Sequence, residues 1–222
     1  PLGISRMVIS DDAADDVVES LSALLARAGR PVAGARVVAL MDTALILKGA
    51  VDLKQAVVDE LAKTFSVERV VLGDHGHLLA DDHALDAATA ALEGADGVVS
   101  IGSGTISDIA KVASDRAGGL PFVLVQTAAS VDGYTDNVSV ILRAGAKRTI
   151  PSRWPDVVLA DTEVIASAPK ELNTSGFGEL LSLFTAPADW WLASQIGTDN
   201  NAVGTDERVG FRFTRGAGTV EM

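Results

Sequence analysis

The sequence contains no cysteine, only one tyrosine and three histidines among its 222 residues. Without cysteine there can be no disulfide and no thiolate metal site, which suits a cytoplasmic protein. Apolar runs are also short, since none approaches the roughly 20 residues that a membrane-spanning helix needs. The first ten residues, PLGISRMVIS, lack the basic and apolar regions of a signal peptide. We therefore expect a cytoplasmic chain with no membrane span.

Basic residues are also scarce, with 18 Lys and Arg against 30 Asp and Glu and a net charge of −12. A nucleic-acid surface needs clustered positive charge, so a nucleic-acid partner is not expected. Hydrophobic residues make up 48% of the chain, enough for a sizeable core. These totals favour an acidic globular protein without a nucleic-acid partner.

Short β-branched runs alternate with helical patterns over the first three quarters of the chain. The predicted strands are residues 6–10, 35–42, 67–74, 96–102, 121–127 and 157–161, and the predicted helices between them begin near residues 11, 52, 84 and 105. This alternation predicts an α/β domain with a mostly parallel sheet, covered by helices on both faces, over residues 1–161. Residues 137–151 resemble a hairpin, residues 162–196 predict the start of a helical domain, and residues 197–222 form an atypical tail.

A glycine-rich turn, SIGSGTISDIAK, follows the strand that ends at Gly102. Gly102 and Gly104 would let the backbone approach a ligand closely, and a helix starting near Thr105 would point free N–H groups at the turn. A phosphate or pyrophosphate is the natural occupant of such a helix N-terminus. Taken alone, the short glycine pattern is equally consistent with a turn that uses glycine only for its geometry.

Three segments in this order and spacing resemble the sn-glycerol-1-phosphate dehydrogenase family, within the iron-containing alcohol dehydrogenase and dehydroquinate-synthase-like superfamily. They are GSGTISDIAK (102–111), QTAASVDGYTDNVSVI (126–141) and GFGELLSLFTAPADWWLA (176–193). The resemblance implies an N-terminal Rossmann-like domain, a C-terminal helical domain, NAD(P) between them and a divalent metal, usually zinc. It also implies a phosphorylated small-molecule substrate; a homo-oligomer is one possible assembly.

The resemblance assigns roles residue by residue. The cofactor-binding positions are Asp42, Gly102, Ser103, Gly104, Thr105, Asp108, Thr127 and Ser130. Asp132 matches the acidic residue beside nicotinamide and substrate, and Glu179 matches the first metal ligand, which is Asp in the dehydrogenases. Asp42 would accept from the ribose hydroxyls and repel a 2′-phosphate, so NAD is favoured over NADP. Its structural alternative is a helix N-cap.

Three departures from the family pattern limit these assignments. Asp136 stands where the family has a small residue, and a carboxylate there disfavours phosphates unless solvent or a cation intervenes. In the family, two further metal ligands are histidines of the helical domain. The three histidines of this chain are His75, His77 and His83, and all of them precede the glycine turn. We expect the DHGH segment, which contains His75 and His77, to lie in a solvated loop. We also expect the zinc site to be incomplete and only the start of the helical domain to be present.

The residues leave three functions open. The first is an NAD(P)- and metal-dependent oxidoreductase acting on a polyol phosphate such as glycerol 1-phosphate or dihydroxyacetone phosphate. The second is an NAD- and metal-dependent sugar-phosphate cyclase, which Glu179 favours because related cyclases use Glu at that position. The third is a non-catalytic dinucleotide-binding chain, which the missing histidines favour.

Overall fold

A computed structural model of the chain describes residues 3–74 and 77–196. The chain divides into two compact units with the boundary between Ser175 and Gly176. The tail from 197 and His75 lie outside the described residues. Across the described part of the chain, no helix is both long and apolar enough to cross a bilayer.

The first unit is built on one six-stranded parallel sheet, which confirms the predicted α/β class. Its strands are β1 (Arg6–Ser10), β2 (Arg36–Asp42), β5 (Ser66–Leu72), β6 (Gly97–Gly102), β7 (Phe122–Gln126) and β10 (Val157–Asp161). They lie in the order β1-β10-β7-β6-β2-β5, and every neighbouring pair is parallel. Consequently the carboxyl ends of all six strands meet at one edge.

Helices cover both faces of this sheet. The helices of the first unit are α1 (Ala13–Arg27), α2 (Leu53–Ala62), α3 (Asp82–Ala91), α4 (Gly104–Arg116) and α5 (Thr162–Ser167). Apolar side chains of α1, α2 and α5 form one buried cluster with the sheet, and those of α3 and α4 form another on the opposite face. The four central strands, β2, β6, β7 and β10, are buried on both sides and therefore consist mostly of hydrophobic residues, whereas the edge strands β1 and β5 are largely exposed.

Two small hairpins and a long helix complete the described chain. The hairpins are β3 (Leu47–Lys48) with β4 (Val51–Asp52), and β8 (Val138–Arg143) with β9 (Ala146–Pro151). The second turns at Ala144 and Gly145, both of which have positive φ angles. A 3-10 turn, Gly133–Thr135, precedes β8, and α6 spans Lys170–Gln195.

The connections change direction between β2 and β6, which are neighbours in the sheet. The chain leaves β2 through α2 on one face and continues outward to β5. It leaves β6 through α4 on the other face and continues the opposite way to β7. In open parallel sheets, ligands bind in the crevice at such a point, beyond the carboxyl ends of the strands.

Candidate nucleotide site

The glycine turn lies at this switch point. Strand β6 ends at Gly102 and α4 begins at Gly104, with Ser103 as the residue before the helix. The Ser103 side chain makes no capping hydrogen bond to the helix. A side chain added at Gly102 would run into Ile106, and one added at Gly104 would reach 3.1 Å from Cγ2 of Val131. Gly102 is therefore required by its close packing against Ile106, and a side chain at Gly104 would crowd Val131.

The first turn of α4 has amides available for an anion. A helix leaves its first four N–H groups without intrahelical acceptors. Here the Ser107 amide donates to the Ser103 carbonyl at 3.2 Å, and the Gly104 amide interacts with the Tyr134 hydroxyl. Among the described residues, the amides of Thr105 and Ile106 have no protein acceptor. Their N–H groups and the positive end of the helix favour a negatively charged group.

Asp42 lies beside this turn at the end of β2. The parallel register pairs Met41 with Ile101, which brings Asp42 level with Gly102. The position of a Cβ on Gly102 is 3.9 Å from Asp42 Oδ2. Asp42 Oδ1 accepts from the Ala44 amide at 3.1 Å and from Lys54 Nζ. Oδ2 is thus the oxygen that faces the glycine turn.

Thr127 and Ser130 join the same edge from the end of β7. The Thr127 amide donates to the Gly102 carbonyl at 3.2 Å, so the loop after β7 is fastened to the glycine turn. Ser130 is buried, and its Oγ shares a hydrogen bond with Tyr134 Oη at 3.1 Å. Burial raises the pKa of the Tyr134 phenol, an effect that the bonds from Ser130 and Gly104 partly offset. The phenol is thus kept in its neutral form beneath the turn.

Asp108 is one turn further along α4 and points at the β8 hairpin. Its Oδ2 accepts from the Val140 amide at 3.1 Å, and its Oδ1 lies 3.2 Å from Lys111 Nζ. Burial raises the pKa of the Asp108 carboxyl, Lys111 and the Val140 bond lower it, and the charge of Asp136 raises it again. Both of its oxygens are therefore used within the protein, and a cofactor contact for Asp108 stays a prediction.

Lys111 explains how an additional carboxylate is tolerated at position 136. The lysine is fully buried and donates to Asp136 Oδ1 at 2.7 Å and to the carbonyls of Gly133 and Val138. It is the cation that the sequence required beside Asp136. Its role here is to attach the loop before β8 to α4.

The remaining predicted residues are placed less centrally. Asp132 is exposed in the loop between β7 and β8, and its carbonyl accepts from the Thr135 amide at 3.2 Å. Glu179 lies half-buried on α6 in the second unit. His77 pairs through its backbone with Asp74, and His83 lies on α3. The substrate role of Asp132 and the metal role of Glu179 stay predictions.

No zinc site is assembled within the described residues. Over residues 3–74 and 77–196, no group of three or more His, Asp or Glu side chains is arranged to hold a metal ion. Catalytic zinc needs three protein ligands and an open position. The donor set described therefore does not fit a catalytic zinc ion.

Two site residues were missed at the level of sequence. Lys54 reads as an ordinary helix lysine, and Tyr134 reads as part of a polar loop. Lys54 contacts Asp42, and Tyr134 contacts Ser130. No sequence pattern predicts either contact. The one available signal was the rarity of tyrosine, since the chain has a single one.

A cavity of about 590 Å³ lies away from this site. It is lined by residues that precede β6 and β7, such as Asp96 and Leu120, so it opens at the amino ends of those strands. Parallel sheets bind ligands at the opposite edge. The switch point is therefore the better candidate.

Comparison with known proteins gives a consistent result. The sequence profile of the iron-containing alcohol dehydrogenase family matches residues 13–169. Glycerol-1-phosphate dehydrogenase [NAD(P)+] of Geobacillus thermodenitrificans is 38% identical over 104 residues, which are 45% of this chain and 26% of that protein. The enzyme of that name from Bacillus velezensis is 35% identical over 142 residues, 62% of this chain and 36% of that protein.

A solved structure shows the same fold. NADH-dependent butanol dehydrogenase A from Thermotoga maritima superposes with a TM-score of 0.66 at 20% identity, covering 82% of this chain and 48% of that one. The alignments thus span about a third of the curated relatives and half of the solved chain. The family profile covers well over half of this sequence, and the predicted family is confirmed. This chain belongs to the iron-containing alcohol dehydrogenase family.

Proposed function

We propose that the first unit binds NAD(P) at the switch point between β2 and β6, as part of a dehydrogenase acting on a polyol phosphate such as glycerol 1-phosphate. The observation that carries this proposal is the meeting of the Gly102–Gly104 turn, the α4 N-terminus and Asp42 Oδ2 at one crevice. The curated relatives are named glycerol-1-phosphate dehydrogenase [NAD(P)+], which supports this substrate class.

Each group in the crevice has a defined part in holding the dinucleotide. The amides of Thr105 and Ile106 would donate to the pyrophosphate oxygens. Asp42 Oδ2 would accept from a ribose hydroxyl, and Thr127 and Ser130 would shape the loop beyond β7. The bound nicotinamide supplies hydride transfer, and the protein supplies orientation and exclusion of water.

A second candidate is a non-catalytic dinucleotide-binding chain. It is favoured by the lack of a metal-ligand group among the described residues. Because both candidates bind the dinucleotide, they differ in metal binding and turnover and not in the cofactor site.

Zinc binding and turnover test whether the 222-residue chain is active by itself. We expect the purified 222-residue chain to bind NAD+ in calorimetry but to hold zinc weakly, because the described donors cannot surround it. NADH consumption with dihydroxyacetone phosphate, and NADH formation with glycerol 1-phosphate, should stay near background with and without added zinc. One bound zinc per chain with robust metal-dependent turnover would contradict this expectation and exclude the non-catalytic candidate.

A full-length glycerol-1-phosphate dehydrogenase is the positive control in the same assay. Absence of NAD+ and NADP+ binding to the folded chain would overturn both candidates together. Dinucleotide binding without turnover would leave this chain as a cofactor-binding unit.

A further inference from the structure

A buried lysine lies directly behind the nucleotide site. Lys54, on the first turn of α2, is only 3% exposed in its side chain, whereas the side chain of Asp42 is 18% exposed. Burying a lysine is costly unless its charge is paired and its donors are satisfied. This lysine is therefore held by specific partners.

All three ammonium protons of Lys54 have acceptors at the end of β2. They are donated to Asp42 Oδ1, to the Asp42 carbonyl at 2.8 Å and to the Ala44 carbonyl at 2.6 Å. Oδ1 also accepts from the Ala44 amide at 3.1 Å. Oδ1 is thus fully occupied, and the carboxylate can offer a ligand only Oδ2, which faces Gly102.

This arrangement changes the electrostatics that Asp42 presents. A free carboxylate would repel a 2′-phosphate, but Asp42 and Lys54 together carry no net charge. Oδ2 can still accept from a ribose hydroxyl, which favours NAD. The repulsion between Asp42 and the 2′-phosphate of NADP is reduced, because the positive charge of Lys54 is in direct contact with the Asp42 carboxylate.

We propose that Lys54 sets the dinucleotide preference of this site, neutralising and orienting Asp42 so that NADP is admitted beside NAD. The inference rests on the proposed function, since it assumes that a dinucleotide binds at the switch point. Lys54 acts through Asp42 and is a positioning residue, too buried to contact a ligand itself.

The test compares the dissociation constants of NAD+ and NADP+ in Lys54→Met. The substitution keeps a long apolar stem and removes the charge, so the exposed Oδ2 should repel the 2′-phosphate more strongly. We expect the preference for NAD+ to rise by about fivefold, the effect of one weakly screened charge pair. The rise should shrink in high salt. An unchanged ratio of the two constants would overturn the inference, because a purely structural role would alter both equally.

Asp42→Asn removes the negative charge of the pair in place of the positive one. It tests the inference even if Lys54→Met does not fold. It leaves the lysine charge unmatched, so the preference should move toward NADP+. The double variant, neutral at both positions, should return close to the wild-type ratio. If Asp42→Asn left the ratio unchanged, the inference would be wrong even without data for Lys54→Met.

Lys63→Met is the matched control, because Lys63 follows α2 directly and is 68% exposed in its side chain. Lys63 pairs with Glu60, and Lys63→Met removes the same charge as Lys54→Met. This variant should leave the ratio of the NAD+ and NADP+ dissociation constants unchanged. Failure of the wild-type chain to bind either dinucleotide would be a failure of the proposed function. Binding of both with a ratio insensitive to Lys54 and Asp42 would defeat this inference alone.

Discussion

Asp42 and Asp108 show how two carboxylates predicted for one role are used differently by the fold. Asp42 keeps one oxygen facing the glycine turn, while Asp108 gives one oxygen to Lys111 and the other to the Val140 amide. Asp42 follows β2, and Asp108 lies on α4 after the glycine turn. The backbone around each aspartate decides whether an oxygen faces the glycine turn or holds the hairpin.

The Tyr134 hydroxyl is a second single group whose contribution can be measured. Tyr134→Phe removes the hydroxyl that bonds to Ser130 and interacts with the Gly104 amide. Because Ser130 Oγ is then buried with one partner fewer, we expect a loss of about 1 kcal/mol in the free energy of unfolding. The measurement is urea unfolding followed by circular dichroism.

The dinucleotide affinity of Tyr134→Phe should fall as well, since the hydroxyl supports the turn. Ser130→Ala is the companion variant, because it leaves the phenol with the Gly104 amide alone and should cost less. Unfolding free energies that are equal in wild type and Tyr134→Phe would show that this hydroxyl has no structural role.

At the scale of elements, the β8–β9 hairpin is attached to α4 by the buried Lys111 and by the Asp108 carboxylate, which accepts from the Val140 amide. Lys111 Nζ contacts Asp108, Asp136 and the carbonyls of Gly133 and Val138. These bonds cross from a helix to the loop and strand that follow β7. The segment that carries Asp132 is therefore positioned by Lys111 as much as by the sheet.

Lys111→Met tests this attachment. Removing one partner of a buried ion pair leaves carboxylates without their cation, and the expected loss in unfolding free energy is roughly 3 kcal/mol. Urea unfolding measures the loss. Lys147→Met, at an exposed position on β9, is the control and should change stability little. Equal stability of the two variants would contradict the role given to Lys111.

The elements themselves were largely predictable, because two-sided burial gives the four central strands apolar runs and helices alternate with the strands. Strand β1 has its predicted bounds, and β6 begins one residue later than predicted. The β3–β4 hairpin was not predicted, since strands of two residues have no periodicity to read. Lys54 was missed for a different reason: its partner Asp42 is a tertiary contact across the end of β2.

At the scale of the whole molecule, three lysines that are buried or partly buried pair with aspartates. Asp161 is completely buried and pairs with Lys48 at 3.2 Å, and its carboxylate also caps α5. The neighbouring acids raise the pKa of Lys48 despite its partial desolvation. Lys54 pairs with Asp42, and Lys111 pairs with Asp136, so that all three lysines contact aspartates at strand ends or in the loops beyond them. Although the net charge of the chain is −12, Asp42 and Asp136 are each paired with a lysine.

The central claim is that the Gly102–Gly104 turn receives the dinucleotide pyrophosphate, and Gly104→Val tests it most directly. Val131, the side chain it would meet, is partly exposed and can shift, so the fold should survive. The same substitution at Gly178, where an added side chain meets open space, is the control.

The measurement is calorimetric titration of NAD+ into the wild-type chain, Gly104→Val and Gly178→Val, with folding verified by circular dichroism. We predict that the wild type and Gly178→Val bind alike and that Gly104→Val binds at least about tenfold more weakly, a difference of ~1.4 kcal/mol. Equal affinity for NAD+ in a correctly folded Gly104→Val chain would contradict the account.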